Sequence, residues 1–406
     1  MAVLAPFRAL RPAPIAAARV AAVPYDVVNT DEARAQAAGN PLSFLHVSRA
    51  EIDLAPGIDL HSNEVYERAT ASFETLRRDA PLLKEDVPSL YVYRLRAGTH
   101  EQTGIAACFS MEEYDRGVIK KHERTRRDKE DDRTRHLLAL RAQTGPVFLV
   151  HRGVPAIAAI ARRAEAAPAL YDFTAGDGVR HTVWRVGPDE TRTLVDLFAG
   201  IPALYIADGH HRAASAARAR HELRGSAGTA GEWDTFLAVA FPDVEVRILP
   251  YNRVVKDLAS LTSAALLRAI GERFTIRENG PAAPERRGEV AMFLGDQWRT
   301  IVLGDAGSAA SPPDRLDVSR LQDGVLTPLL GIGDIRTDPR IDFVGGARGT
   351  TELESLVRSG RAAVAFSMYP PGVDDLMAIA DAAGIMPPKS TWFEPKLRDG
   401  LLIHEI

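Results

Sequence analysis

Short apolar runs of strand length alternate along the chain with segments in which apolar residues recur at helical spacing. The strand-like runs are rich in β-branched and aromatic residues and lie next to turn residues; they cover 90–95, 103–109, 146–151, 182–186, 203–207, 236–241, 290–294 and 363–369. Helical spacing predicts helices over 63–78, 155–166, 189–198, 212–224, 261–273 and 374–383. This mixture predicts an α/β or α+β fold of mixed sheets with flanking helices.

The length of 406 residues exceeds what one ordinary core accommodates, which predicts two or three packed units. We expect an N-terminal α/β region over 1–145, a central region over 146–256 and a C-terminal α/β region over 257–406. Glycine, proline and small residues predict loops at 224–232 and 304–313.

The formal net charge of −4 provides no general attraction to nucleic acid or to a membrane, so any anion site must come from a local cluster. The single cysteine, Cys108, excludes an internal disulfide and favours a reducing compartment. No run approaches the roughly 18–20 apolar residues that cross a bilayer. We therefore expect a cytoplasmic protein with small-molecule partners, and the oligomeric state stays open.

A strongly charged segment covers residues 116–136. From Lys120 to His136 it contains no aliphatic or aromatic residue, so a helix there would have no apolar face with which to dock. Two interpretations are open. The segment is a solvated helix held by i,i+4 ion pairs, or it lines a polyanion pocket in which a carboxylate acts as base or metal ligand.

A second polar cluster, with the sequence DGHHR at 208–212, follows a strand-like run and begins a helix-like run. Its glycine permits a tight turn, and the start of a helix presents unpaired N–H groups and a positive dipole end to a phosphate. The structural alternatives are a helix cap at Asp208 and ordinary surface histidines. His181 and His221 lack a recognisable zinc spacing, so phosphate binding is favoured over a histidine-based zinc site.

The turn at 208–212 resembles the motif of free-serine kinases of the ParB/sulfiredoxin-like superfamily, in which such a turn opens a helix and holds phosphate. Residues 117–121 (GVIKK) resemble the short segment that precedes the turn in that superfamily, although here the two lie far apart in sequence. From Pro6 to His404 the chain resembles the bacterial and archaeal family called domain of unknown function 1015. That resemblance is carried by strings at 24–27, 39–46, 120–136, 342–346 and 386–396.

The resemblance to serine kinases implies phosphoryl transfer to free L-serine, giving O-phospho-L-serine, with a nucleotide or pyrophosphate as donor and Mg²⁺ as cofactor. The sequence has neither a Walker-type loop nor the protein-kinase signatures, which favours a small donor such as pyrophosphate. One alternative is a ParB-like nucleotide-binding regulator, against which the net charge argues. The other is a metal-dependent phosphohydrolase built on the histidines at 122, 136, 210 and 211.

Phosphoryl transfer requires positioning and charge neutralisation. We predict Glu123 as the general base for the serine hydroxyl, together with Asp208 and His210 as catalytic residues and Asp208 as the Mg²⁺ ligand. The predicted phosphate-binding residues are Lys121, Arg126, Arg127, Gly209, His211 and Arg212. The predicted substrate-binding residues are Asn40, Ser43, His46, Lys389, Ser390 and Thr391. If the two polar clusters form one site, Glu123 and His210 must meet in the fold.

Overall fold

The computed structural model describes residues 2–80, 82–307 and 310–406, so two residues of the loop predicted at 304–313 lie outside the described residues. The chain forms two compact units. One comprises Met1–Val246 with Pro395–Ile406, and the other comprises Arg247–Glu394.

The first unit is a mixed sheet with helices. Its strands are β1 (Leu4–Ala5), β2 (Leu10–Pro12), β3 (Leu82–Lys84), β4 (Tyr91–Ala97), β5 (His100–Ser110), β6 (Ile119–Lys120), β7 (Ala142–Gln143), β8 (Val147–His151), β9 (Tyr171–Thr174), β10 (Arg180–Arg185), β11 (Leu204–Asp208) and β12 (Thr235–Pro242). Its helices are α1 (Ala17–Val20), α2 (Thr30–Ala37), α3 (Leu45–Ser48), α4 (Asn63–Asp79), α5 (Met111–Asp115), α6 (Arg127–Leu140), α7 (Pro155–Ala164), α8 (Pro188–Ala199) and α9 (His210–Ala227).

The main sheet of this unit has the strand order β6-β11-β8-β12-β5-β4-β10-β9, and β1 pairs with β5. The apolar side chains of its central strands and of α7, α8 and α9 form one buried cluster, which includes Phe109, Leu149, Phe198 and Phe236. A second buried cluster joins α2, α3 and α4 around Phe44. Burial on both faces explains why the central strands have continuous apolar sequences.

The second unit contains an antiparallel sheet with the order β15-β17-β16-β19-β14-β18. Its strands are β13 (Ile248–Leu249), β14 (Tyr251–Val255), β15 (Thr275–Glu278), β16 (Glu289–Leu294), β17 (Gln297–Val302), β18 (Ile341–Gly345), β19 (Val364–Met368) and β20 (Trp392–Phe393). Its helices are α10 (Ser263–Gly271), α11 (Asp317–Leu321), α12 (Thr327–Leu330), α13 (Gly349–Arg358) and α14 (Val373–Asp381). In the C-terminal segment, which belongs to the first unit, β21 (His404–Glu405) pairs with β7.

The predicted class of mixed sheets with flanking helices is confirmed, and each strand-like and helix-like run of the sequence overlaps an element of the same type. The two units differ from the three regions expected from the sequence. Residues 145 and 146 do not separate two units, because β8 begins at Val147 and lies between β11 and β12 in the first sheet. Among the residues described, no helix combines the length and apolar character that a membrane crossing requires.

Candidate functional site

Two neighbouring parallel strands bring the charged segment and the DGHHR turn together. In β6 and β11, Ile119 pairs with Leu204 and Lys120 pairs with Tyr205. Parallel strands end at the same edge of a sheet, so the residues after Lys120 lie beside those at the end of β11. The Oε2 atom of Glu123 lies 3.8 Å from Nδ1 of His210. Glu123 and His210 therefore lie close together in the fold, as expected from the sequence.

Within the described part of the chain, the DGHHR turn leaves the start of α9 without a side-chain cap. Gly209 is the residue before the helix and has φ of 88°, in the left-handed region that favours glycine. No side chain of the described residues caps the helix start through a hydrogen bond. The register between β11 and β8 shifts between Ile206 and Asp208, an irregularity that redirects the end of the strand. The first N–H groups of α9 are therefore not used by a side-chain cap.

Asp208 contacts a residue that the sequence analysis missed. Its Oδ2 lies 2.6 Å from Nζ of Lys396, and its Oδ1 accepts the N–H of Gly209 at 2.8 Å, so this carboxylate does not cap the helix. Burial favours a higher pKa for Asp208, but Lys396 and Arg212 outweigh it and hold the pKa below its ordinary value. Lys396 is the last residue of the string at 386–396, which is one of those that carry the family resemblance. Its place in that string was the signal from which the sequence could have identified it.

Three histidines around the turn have depressed pKa values because they are withdrawn from water. Burial lowers the pKa of His122 to about 4 and that of His210 well below its ordinary value. The two rings are nearly perpendicular, with centroids 4.5 Å apart. Burial also lowers the pKa of His211, whose Nε2 accepts the backbone N–H of Arg126 at 3.1 Å. These rings are therefore neutral near pH 7 and offer lone pairs.

The helix α6 has a buried polar face, so the interpretation of residues 120–136 as a solvated helix is wrong. Asp132, Thr134 and His136 are buried. The hydroxyl of Tyr66 donates to Asp132 at 2.8 Å, and Nε2 of His136 lies 2.9 Å from the carbonyl oxygen of Val47. Hydrogen bonds to distant residues replace the apolar contacts that the composition could not supply.

Two predicted phosphate-binding arginines lie at the exposed beginning of α6. The guanidinium of Arg126 pairs with Asp128 at 2.7 Å, and Arg127 is the first residue of the helix. Lys121, the third cation of the segment that was predicted to bind phosphate, has its Nζ 3.9 Å from the centroid of the Tyr114 ring. Partial burial lowers the pKa of Lys121.

Arg212 lines a cavity that sequence reasoning did not anticipate. Its Nη1 lies 2.7 Å from Oδ1 of Asp399, and its guanidinium lies 5.4 Å from the centroid of the Tyr25 ring. The cavity has about 60 Å³ of free volume; its polar lining includes Tyr25, Ser48, Arg133, His136, Gln143, Thr144, Arg212, Ser215 and Asp399. The phosphate-binding role predicted for Arg212 stays a prediction, and its main partner in this structure is a carboxylate.

Of the N-terminal residues predicted to bind substrate, Asn40 and Ser43 lie in the loop between α2 and α3, and His46 lies in α3. Nδ2 of Asn40 donates to the carbonyl oxygen of Arg19 at 2.8 Å. Ser43 is buried, and its hydroxyl accepts the N–H of Leu45 at 3.3 Å. Nδ1 of His46 lies 2.9 Å from Asp53. These contacts give all three side chains a structural role, and substrate binding by them stays a prediction.

The C-terminal residues predicted to bind substrate belong to the second unit. Nζ of Lys389 lies 5.3 Å from the centroid of the Tyr251 ring. The hydroxyl of Ser390 donates to the carbonyl oxygen of Pro387 at 2.6 Å. Thr391 directly precedes β20. A contribution of these three residues to substrate binding stays a prediction.

The chain is similar, at low identity and low TM-score, to several solved structures. A free serine kinase variant in complex with ADP is 13% identical with a TM-score of 0.37, and the match covers 72% of this chain and 92% of that chain. SbnI with a C-terminal truncation, from Staphylococcus aureus, is 11% identical with a TM-score of 0.39 over 72% of this chain and 85% of that chain. A conserved hypothetical protein from Pyrococcus furiosus is 14% identical with a TM-score of 0.35 over 73% of this chain and 94% of that chain.

These structural similarities are too low to assign an activity to this chain. No curated protein matches the sequence significantly. The model of one protein family, described as "Protein of unknown function (DUF1015)", matches residues 4–319, which is most of the chain. The family resemblance is thus confirmed over residues 4–319, which contain the strings at 24–27, 39–46 and 120–136, and the chain belongs to the DUF1015 family.

Proposed function

We propose that this protein is a phosphotransferase that makes O-phospho-L-serine from free L-serine, with a nucleotide or pyrophosphate as donor. The observation that carries the proposal is the position of Glu123, whose carboxylate lies 3.8 Å from the ring of His210 in the first turn of α9. A group that can accept a hydroxyl proton therefore lies beside a helix start that can hold a phosphate. Phosphoryl transfer to a hydroxyl requires both.

In the proposed reaction, Glu123 accepts the proton of the serine hydroxyl as that oxygen attacks the terminal phosphorus of the donor. The bond from this phosphorus to its bridging oxygen breaks, and that oxygen keeps the electron pair and leaves with the remainder of the donor, which is phosphate from pyrophosphate or the shortened nucleotide from ATP or ADP. The N–H groups at the start of α9 and the ammonium group of Lys121 would neutralise the charge that develops. Lys396, held by Asp208 at 2.6 Å, supplies a further positive charge beside the turn.

The cavity around Arg212 provides the proposed pocket for the acceptor. A free amino acid carries a carboxylate and an ammonium group, and the cavity lining holds charges of both signs in Arg133, Arg212 and Asp399. Arg133 would bind the substrate carboxylate, and Asp399 would bind the ammonium group. Asn40, Ser43 and His46 were predicted to bind substrate from the sequence. The proposed pocket adds to them a second set of residues, whose side chains line the cavity.

The residues around Asp208 do not fit a resident Mg²⁺. This ion requires nearly octahedral oxygen ligands. One oxygen of Asp208 contacts the ammonium group of Lys396 at 2.6 Å, and the other accepts an N–H at 2.8 Å. Any Mg²⁺ that the reaction needs would be held by the phosphate oxygens of the donor, and this is a common mode of Mg²⁺ binding.

The direct test is to incubate the protein with L-serine, Mg²⁺ and, in separate reactions, ATP, ADP or pyrophosphate. We expect phosphoserine with at least one donor, detected by mass spectrometry. D-serine and L-alanine serve as controls, since L-alanine lacks the hydroxyl oxygen that must attack. Absence of phosphoserine with every donor would refute the proposed acceptor.

Replacing Lys121 with methionine should weaken donor binding by about 10- to 100-fold, because a hydrogen bond to a charged group contributes about 1.5–3 kcal/mol. The affinity for ATP, ADP or pyrophosphate can be measured by calorimetry. Lys84→Met is the matched control, since Lys84 is an exposed lysine of the same unit that pairs with Glu405. Equal donor affinity in the Lys121 variant and the control would remove Lys121 from the donor site.

A further inference from the structure

Beyond the phosphotransferase activity, we propose that His122, His210 and Glu123 form a binding site for a divalent transition metal of the zinc class. One ring nitrogen from each histidine and one carboxylate oxygen of Glu123 all lie within 4.8 Å of one another. Small side-chain movements would bring three such atoms to about 2.0–2.2 Å from a common ion. The site follows from this geometry and does not depend on the identity of the phosphate acceptor. The carboxylate of Glu123 has two oxygens, so one can ligate the ion while the other accepts the proton of the proposed reaction.

The buried nitrogens of the two histidines support a ligand in this place. His122 is 2% exposed and His210 is 5% exposed. Among the described residues, Nδ1 of His122 has no hydrogen-bond partner, and the nitrogen of His210 that lies 3.8 Å from Oε2 of Glu123 is Nδ1. A buried polar atom without a partner is costly, and a metal ion would satisfy a nitrogen lone pair of this kind.

The second nitrogen of His122 has the partner that metal-binding histidines typically have. The ring bonds the backbone carbonyl of Ile206. Since Nδ1 has no partner, the bond uses Nε2, which must therefore carry the hydrogen. This tautomer leaves the lone pair on Nδ1, directed away from the carbonyl. Metal-ligating histidines usually donate their other N–H to a carbonyl or carboxylate in this way.

The ligand chemistry selects the class of metal. Two imidazoles with one carboxylate are typical of Zn²⁺ and related transition metals, whereas Mg²⁺ and Ca²⁺ prefer oxygen ligands alone. Three protein ligands leave a coordination position for solvent or a substrate oxygen, as in catalytic zinc sites. Of the other histidines near the turn, His136 lies next to the carbonyl of Val47, and His211 accepts the N–H of Arg126. The structure thus supports two histidines and one glutamate as metal ligands, rather than the four histidines at 122, 136, 210 and 211.

The test is a Zn²⁺ titration of the metal-stripped, full-length protein without nucleotide or serine, measured by competition with a chromophoric chelator. We expect one equivalent to bind and an excess of Mg²⁺ to leave it bound. Glu123→Gln and His122→Asn should each weaken Zn²⁺ binding by more than about 100-fold, because loss of even an outer-shell partner costs 10- to 100-fold. His221→Ala is the matched control, since His221 is an exposed histidine of α9.

Less than one equivalent bound by the wild-type protein would overturn the proposal, and so would wild-type affinity in either ligand variant. His122 is buried, so its variant is interpreted only if its thermal unfolding matches the wild type. The Glu123 side chain is 42% exposed, and its variant decides the question if the histidine variant does not fold. Because no phosphoryl donor is present, this result is independent of whether phosphoserine is formed.

Discussion

Replacing Glu123 with glutamine will lower the turnover of phosphoserine formation by about 10²–10⁴-fold, the usual contribution of a positioned general base. Glutamine keeps the size of the side chain but cannot accept the hydroxyl proton. The affinity for the donor should stay nearly unchanged, since the helix start and Lys121 are intact. Steady-state kinetics and donor titration together separate an effect on chemistry from an effect on binding.

The other carboxylates of the charged segment provide controls for Glu123. Asp131 lies 2.5 Å from Arg218, and Asp128 pairs with Arg126. Both pairs occupy partly or fully exposed positions, so Asp131→Asn and Asp128→Asn should change turnover by no more than a few fold. If Glu123→Gln retains normal turnover while one of these variants abolishes it, another carboxylate is the base. If none of the three matters, and Glu130→Gln and Asp132→Asn also leave turnover unchanged, the charged segment does not supply the base.

Replacing Arg212 with alanine will destabilise the first unit by about 3–5 kcal/mol, the usual cost of removing one partner of a buried ion pair. Asp399 is 3% exposed and would lose the cation at 2.7 Å from its carboxylate. Burial raises the pKa of Asp399, and Arg212 opposes that shift, so the isolated carboxylate would be still more costly to keep ionised. Differential scanning calorimetry or denaturant unfolding measures the loss.

The matched control for Arg212 is Arg192→Ala, which removes an exposed ion pair with Asp189 and should cost less than about 1 kcal/mol. Gly145→Ala provides an independent test of the pair. A Cβ atom at Gly145 would overlap Nη1 of Arg212 and Oδ1 of Asp399, so the side chains of this pair must shift. Wild-type stability in both the Arg212 and Gly145 variants would show that the buried pair contributes little.

The sequence by itself determined the elements whose signals are local. The central strands β5, β8, β11 and β12 each contain a continuous apolar run, and such runs are recognisable within a short window. The start of α9 was equally evident, because a glycine separates a strand from an alanine-rich segment. Strands with exposed or polar side chains, such as β15 over Thr275–Glu278, gave no comparable apolar signal and were not predicted.

The tertiary structure alone decided how the site is assembled. The strand β6 contains only Ile119 and Lys120, and its parallel pairing with β11 is what places Glu123 beside His210. The charged composition of α6 indicated no docking face, yet Tyr66 and the carbonyl of Val47 provide polar partners for buried residues of that helix. The partner of Arg212, Asp399, comes from the C-terminal segment. Local patterns fix elements through neighbouring residues, whereas buried polar groups depend on partners from distant segments that no local window contains.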